Sequence, residues 1–178
     1  MSAIQIKDSQ FKLYISREKI EATIKSMAAK INEDFVGKKP LFVAVLNGSF
    51  IFAADLFKEL DLECEISFIK LASYRGTKST GNILSLIGLD EDITHRHVVI
   101  LEDIIDSGNT MSVLLPKFQN LNPASVSIAA FLLKPEALEH DIKIRYTGLE
   151  IPNEFIVGYG LDYDGFGRNY KDIYQLVE

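Results

Sequence analysis

The chain carries a single cysteine, Cys64, which rules out an internal disulfide. The lack of a disulfide framework is compatible with a reducing compartment. Cys64 stands in the apolar run ECEISFIKL, where a free thiol behaves as a small hydrophobe and a buried strand position is expected. No neighbouring His or Asp motif suggests a nucleophile. Positive charge is also scarce: 19 Lys and Arg against 25 Asp and Glu give a net charge of −6. Broad nucleic-acid or membrane binding calls for a basic surface, so no nucleic acid and no membrane are expected as partners. An anionic substrate would have to be met by local Lys and Arg, helix N-termini or metal ions. Long hydrophobic runs are absent. The most apolar stretch, Pro40 to Phe57, is broken by Asn47, Gly48, Ser49 and Asp55 and is not a membrane span. The opening residues MSAIQIKDSQFKLYISREK hold no uninterrupted apolar core and no cleavage pattern, so a cytoplasmic protein is expected. The histidines His95, His97 and His140 fall at no metal-ligand spacing and read as surface residues.

What is present is enough for a core. At 178 residues, with 47% hydrophobic and 25% charged residues, the chain reads as a single domain over residues 1–178. Ile20, Ile24, Met27, Ala28, Ile31 and Phe35 lie on one helical face, with Ser16 as a plausible N-cap and Gly37 and Pro40 as the stop. Leu41 to Leu46 predicts a strand, Asn47 to Ser49 a turn, Phe50 to Leu60 a helix, and Glu63 to Leu71 the next strand. Ser73 to Gly81, SYRGTKSTG, is small, polar and cationic and reads as a flexible loop. Ile83 to Ile87 resumes strand character. A helix is expected from Thr110 to about Leu121, with Pro116 as a kink or irregular turn. Ser125 to Leu133 and Phe155 to Tyr159 are further strands, and Asp162 to Tyr174 shows no period. Strands alternating with helices predict an α/β fold with a mainly parallel central sheet flanked by helices. Ligands bind beyond the carboxyl ends of such strands, where the unusual loops fall.

One segment stands out, VVILEDIIDSGNT from Val98 to Thr110. The apolar residues Val98 to Leu101 read as a strand buried on both faces. Glu102 and Asp103 follow, then Asp106 at the start of a small-residue turn. Carboxylates at the edge of an apolar core are costly unless something pairs with them. Gly108 allows tight curvature, Ser107 and Thr110 offer hydroxyls, and the next helix offers free N–H groups and a partial positive charge. Together these can cradle a phosphate, although a purely structural helix cap uses the same residues. It is not a Walker loop, because GxxxxGK[ST] is absent. Glu102 and Asp103 could receive a vicinal diol, hold a hard cation through water, or form a solvated strand end. Strand alternation would point them to opposite sides.

VVILEDIIDSGNT resembles the phosphoribosyl-diphosphate (PRPP) signature of the type I phosphoribosyltransferases, in the version seen in those acting on hypoxanthine and guanine. Three more segments match that family in order: LNGSF (Leu46 to Phe50) its pyrophosphate loop, SYRGTKSTG its mobile catalytic loop, and IPNEFIVGYGLDYDGFGRNYKDIY (Ile151 to Tyr174) its purine-binding segment. The resemblance implies the family's fold, with a small hood formed by the terminal segments. It implies purine salvage: PRPP and hypoxanthine or guanine give IMP or GMP and pyrophosphate, with Mg2+ as cofactor and a homodimer or homotetramer as the assembly. By resemblance the loop Asp106, Ser107, Gly108, Asn109 and Thr110 holds the 5′-phosphate, and Glu102 and Asp103 face the ribose hydroxyls, directly or through magnesium. Asp106 is the general base, or stabilises the proton on the five-membered ring of the purine. Lys134 donates to the exocyclic oxygen of the base, Phe155 stacks on the purine and the Ile156 backbone meets its edge. Asp162 helps hold magnesium, Arg168 clamps the pyrophosphate, and the backbone at Asn47 and Gly48 adds donors across a Leu46–Asn47 peptide that can be cis. Ser73 and Tyr74 close over the site during reaction. Read without the resemblance, Lys134 is a solvated residue at a strand end and Phe155 is core. The chain departs from the family in carrying Asn47 for a common Lys and Ser49 for a common Gly, which removes a side-chain charge but leaves the backbone donors. Two other readings remain: a regulator of the same fold that senses PRPP or nucleotides, and an enzyme of the same fold acting on another base. The first would need a basic face, which this acidic chain does not announce.

Overall fold

A computed structural model describes residues 3–74 and 83–177. In chain order the elements are β1 (Ala3–Ile6), β2 (Ser9–Ile15), α1 (Arg17–Asp34), β3 (Leu41–Leu46), α2 (Phe50–Lys58), β4 (Glu65–Tyr74), β5 (Ile83–Ile87), β6 (His97–Ile105), α3 (Asn109–Gln119), β7 (Ser125–Leu133), β8 (Tyr146–Glu150), β9 (Ile156–Val157) and β10 (Ile173–Leu176). Among the described residues, six strands form the central sheet in the order β5-β4-β3-β6-β7-β8. The five from β4 to β8 in that row are parallel, and β5 is antiparallel to β4. This is the expected mainly parallel sheet.

The burial follows from the residue pattern. Phe42 and Ala44 of β3 face one core with α1 and α2, joined by Phe52 and Phe131. Leu41, Val43 and Val45 face the other, where α3 brings Met111, Leu114 and Phe118. A strand covered on both faces needs a continuous apolar run rather than alternation. In α1 the buried residues Ile20, Ile24, Met27 and Ile31 recur at helical spacing. Ser16 occupies the N-cap position but makes no capping side-chain hydrogen bond. α3 runs through Pro116 to Gln119 without ending there.

A second sheet, four-stranded and antiparallel in the order β1-β2-β10-β9, is assembled from both terminal segments and forms the hood. Phe11, Val157 and Tyr174 fill the space beneath it. No helix among the described residues is long and apolar enough to cross a membrane.

Several elements depart from the sequence expectation. β6 continues to Ile105, so Glu102 and Asp103 lie inside a paired strand, with Glu102 opposite Ala130 of β7. They are not a solvated strand end; both are buried. Cys64 is half-buried and precedes β4 rather than lying in it. β4 extends through Ser73 and Tyr74, while residues 75–82 of the expected loop lie outside the described residues. The strand expected over Phe155 to Tyr159 is limited to Ile156–Val157, which leaves Phe155 outside it. β1, β2, β8 and β10 were not anticipated as strands. His97 is not a free surface residue, because its Nδ1 lies 2.7 Å from Ser125 Oγ.

Candidate active site

The turn after β6 is shaped by Gly108. Its φ of +82° lies in the left-handed region that glycine adopts without strain, and a Cβ there would lie 2.6 Å from Ile142 Cδ1. Gly108 gives α3 no side-chain cap; the Asn109 N–H donates to Ser107 Oγ at 3.3 Å, and the other N–H groups of the first turn and its positive dipole end are available to an anion. Glu102, Ile104, Ile105 and Asp106 to Met111 line a cavity of about 90 Å3 at this point. The predicted phosphate residues Ser107, Gly108, Asn109 and Thr110 are thus together in one concavity.

The two buried acids diverge as strand geometry requires. Glu102 lines that cavity. Its Oε2 is a buried oxygen with no hydrogen-bond partner among the described residues. Burial, and then the nearby charge of Asp103, push its carboxyl well above the usual glutamate range. Asp103 points instead at the loop after β3: a Cβ added to Gly48 would lie 1.7 Å from Asp103 Oδ2. Burial pushes the Asp103 carboxyl up to about 6, against the lowering effect of backbone hydrogen bonds and of Arg168.

The loop after β3 contains a cis Leu46–Asn47 peptide. Ser49, fully buried, donates from Oγ to Val45 O at 2.5 Å, so its hydroxyl is satisfied locally. Gly160 packs directly on this loop, since a Cβ there would lie 2.1 Å from Gly48 O. Arg168 donates from Nη1 to Gly160 O at 2.6 Å and pairs through Nη2 with Asp162 Oδ1 at 2.6 Å. Asp162 Oδ2 accepts from Gly165 N–H at 2.6 Å. Asn47, Gly48, Asp103, Asp162 and Arg168 therefore form a second cluster.

Lys134 overturns the reading as a solvated strand-end lysine. It is only 7% exposed. Its backbone N–H donates to Ile105 O at 2.9 Å, and its Nζ donates to Asp106 Oδ2 at 2.9 Å and to Asn153 Oδ1 at 3.3 Å. Beyond Asn153, Phe155 is 46% exposed, so it is not core. Its ring meets Phe11 at 6.4 Å and stands edge-on to Tyr163 at 5.8 Å, while Ile156 is buried in β9. Ser73 and Tyr74 are the last residues of β4.

Asn153, Gly160 and Tyr163 were not singled out from the sequence. Each lies inside the Ile151 to Tyr174 segment, and the signal available was its density of glycine and aromatic residues without a period.

The phosphoribosyl transferase domain model matches residues 14–164. The chain belongs to the phosphoribosyl transferase domain family. Within this family it is 42% identical over 168 residues to a hypoxanthine-guanine phosphoribosyltransferase of Streptococcus pneumoniae, covering 94% of this chain and 93% of the relative. It is 42% identical over 155 residues to a hypoxanthine phosphoribosyltransferase of Buchnera aphidicola, covering 85% and 88%. A crystal structure of a hypoxanthine-guanine phosphoribosyltransferase from Bacillus anthracis superposes with a TM-score of 0.85 at 37% identity, covering 97% of this chain and 99% of that one. The parallel sheet with its small antiparallel companion is thus a phosphoribosyltransferase fold.

Proposed function

We propose that this phosphoribosyltransferase moves the 5-phosphoribosyl group from PRPP to hypoxanthine, and to guanine, giving IMP or GMP and pyrophosphate in purine salvage. The observation that carries this reading is the buried Lys134 ammonium paired with Asp106. One residue can donate to the exocyclic oxygen of a 6-oxopurine while the other takes up or stabilises the proton on its five-membered ring. The pair stands beside an uncapped helix start suited to the 5′-phosphate, a non-reacting group whose binding energy can hold the ribose still. Phe155, half exposed between Phe11 and Tyr163, supplies a face for the purine. Asn47, Gly48 and Arg168 receive the pyrophosphate, with the planar Arg168 fork suited to its oxygens. Ser73 and Tyr74 close over the reacting centre and shield it from water.

The acids fit magnesium. Among the described residues no group of three or more His, Cys, Asp or Glu could hold a metal ion by itself. Magnesium takes one or two carboxylates and completes its shell with water and phosphate oxygens. The unpartnered Glu102 oxygen on one side of β6, and Asp103 with Asp162 on the other, are the residues that would hold magnesium, which when bound would neutralise charge on the departing pyrophosphate. We read residues 1–178 as one domain with its hood, acting in the cytoplasm as a homodimer or homotetramer.

The test is direct. Incubating the protein with PRPP, magnesium and hypoxanthine, guanine or xanthine should form IMP and GMP. Absence of nucleotide from all three bases would overturn the proposal.

A further inference from the structure

We infer that His140 is a positioning residue for the 5′-phosphate site, holding Asn109 so that the turn from Ser107 to Thr110 stays open to an anion. This rests on the proposal that the turn binds the phosphate of PRPP. The central observation is a 2.7 Å contact between His140 Nε2 and Asn109 Oδ1. A carboxamide oxygen only accepts, so the bond requires a hydrogen on His140 Nε2.

Asn109 is the first residue of α3, Gly108 supplies no side-chain cap, and Ser107 Oγ accepts only the Asn109 N–H, at 3.3 Å. An asparagine oxygen at a helix start is itself a good acceptor for first-turn N–H groups. Left free, it would compete for the donors a phosphate needs. With Oδ1 engaged by His140, that competitor is removed.

The same short segment grips the turn at two other points. Glu139 N–H donates to Ser107 O at 3.0 Å. Ile142, Leu138 and His140 fill the space beside Gly108, where an added Cβ would lie 3.7 Å from His140 Cβ. Three successive residues of the turn are therefore held by residues 138–142. The His140 contact is the polar side-chain contact of the three, so substitution can remove it without touching the backbone. His140 was expected to be a plain surface residue from its polar neighbours; its sequence position carries no sign of Asn109.

Steady-state kinetics with PRPP and hypoxanthine varied separately will test this on the full chain. His140→Ala should raise the KM for PRPP about fivefold, the worth of one ordinary hydrogen bond, with kcat and the KM for hypoxanthine within about twofold of wild type. His140→Gln offers an N–H donor in place of the ring and should recover most of the loss. An unchanged KM for PRPP in His140→Ala would overturn the inference. So would a fall in kcat alone, or a Gln variant no better than the Ala variant, which would mean that bulk and not the donor matters. A wild-type protein that neither forms nucleotide nor binds PRPP would instead defeat the reading of the site itself.

Discussion

Lys134 and Asp106 form an ion pair of 2.9 Å in which the ammonium is buried and the carboxylate is half exposed. The carboxylate is the accessible partner, as the proposed proton acceptor has to be. Asp106→Asn should lower kcat by about 10²–10⁴-fold, the usual worth of a positioned acid or base. The KM for PRPP should change little. Separate titration of the two substrates checks this, and equal losses in both would count against a role as base.

Glu102 is a buried acid whose charge is penalised by its surroundings and whose Oε2 has no partner among the described residues. Glu102→Gln removes that charge at nearly constant volume. The ligand-free protein should melt at the same temperature or higher, while the KM for PRPP rises about tenfold or more, the worth of one hydrogen bond to a charged group. Thermal melting and kinetics read the two effects independently.

Gly48→Ala would place a methyl on the Asp103 carboxylate. Overpacking of this kind costs about 1–3 kcal/mol. The variant should show a lower urea midpoint, together with a greater loss of transfer activity than an alanine at exposed Gly37, which is strained by its φ of +70° but meets nothing within 4 Å, once both are assayed at equal folded fraction.

The acid limb of stability should depend on Asp34. The Tyr146 hydroxyl donates to its Oδ2 at 2.7 Å and, ahead of Arg145, holds its carboxyl below the usual aspartate range. A carboxylate with a depressed folded-state pKa stabilises the protein above its unfolded value, and that contribution is lost as pH falls through the folded value. Tyr146→Phe should therefore destabilise the protein at pH 7 by about 1 kcal/mol or less, given the partial exposure of the carboxylate. The difference from wild type should shrink below pH 3.8. Urea unfolding at neutral and acid pH measures it.

The parts legible in the sequence are those where local pattern and tertiary burial agree. Val98 to Leu101 is apolar because both faces of β6 are covered, and the run says so directly. That the strand continues through Glu102 and Asp103 depends on its ladder with β7, which no local propensity encodes. β8 escaped notice because Thr147, Gly148 and Leu149 are only partly buried and show no run. Gly148 is required there because a Cβ would lie 2.4 Å from Phe131 O. β1, β2 and β10 are short and half-exposed, with polar residues intervening. In the site, residue types were legible but their pairings were not. Ile105 is in register with Leu133, so the next residue of each strand, Asp106 and Lys134, emerges side by side. Only the strand order supplies that neighbour relation.

The hood has a consequence for how the protein comes into being. β2 pairs at once with its neighbour β1, but its other edge pairs Leu13 with Tyr174 and Phe11 with Leu176, so that edge stays open until β10 has been made. Every strand of the central sheet precedes β9 and β10, so the turn after β6 can take shape while the hood is still incomplete. Contacts between such distant segments are slow to form. On the proposed assignment of the site, the turn after β6 can therefore form before the segment that carries Phe155 is locked under the hood.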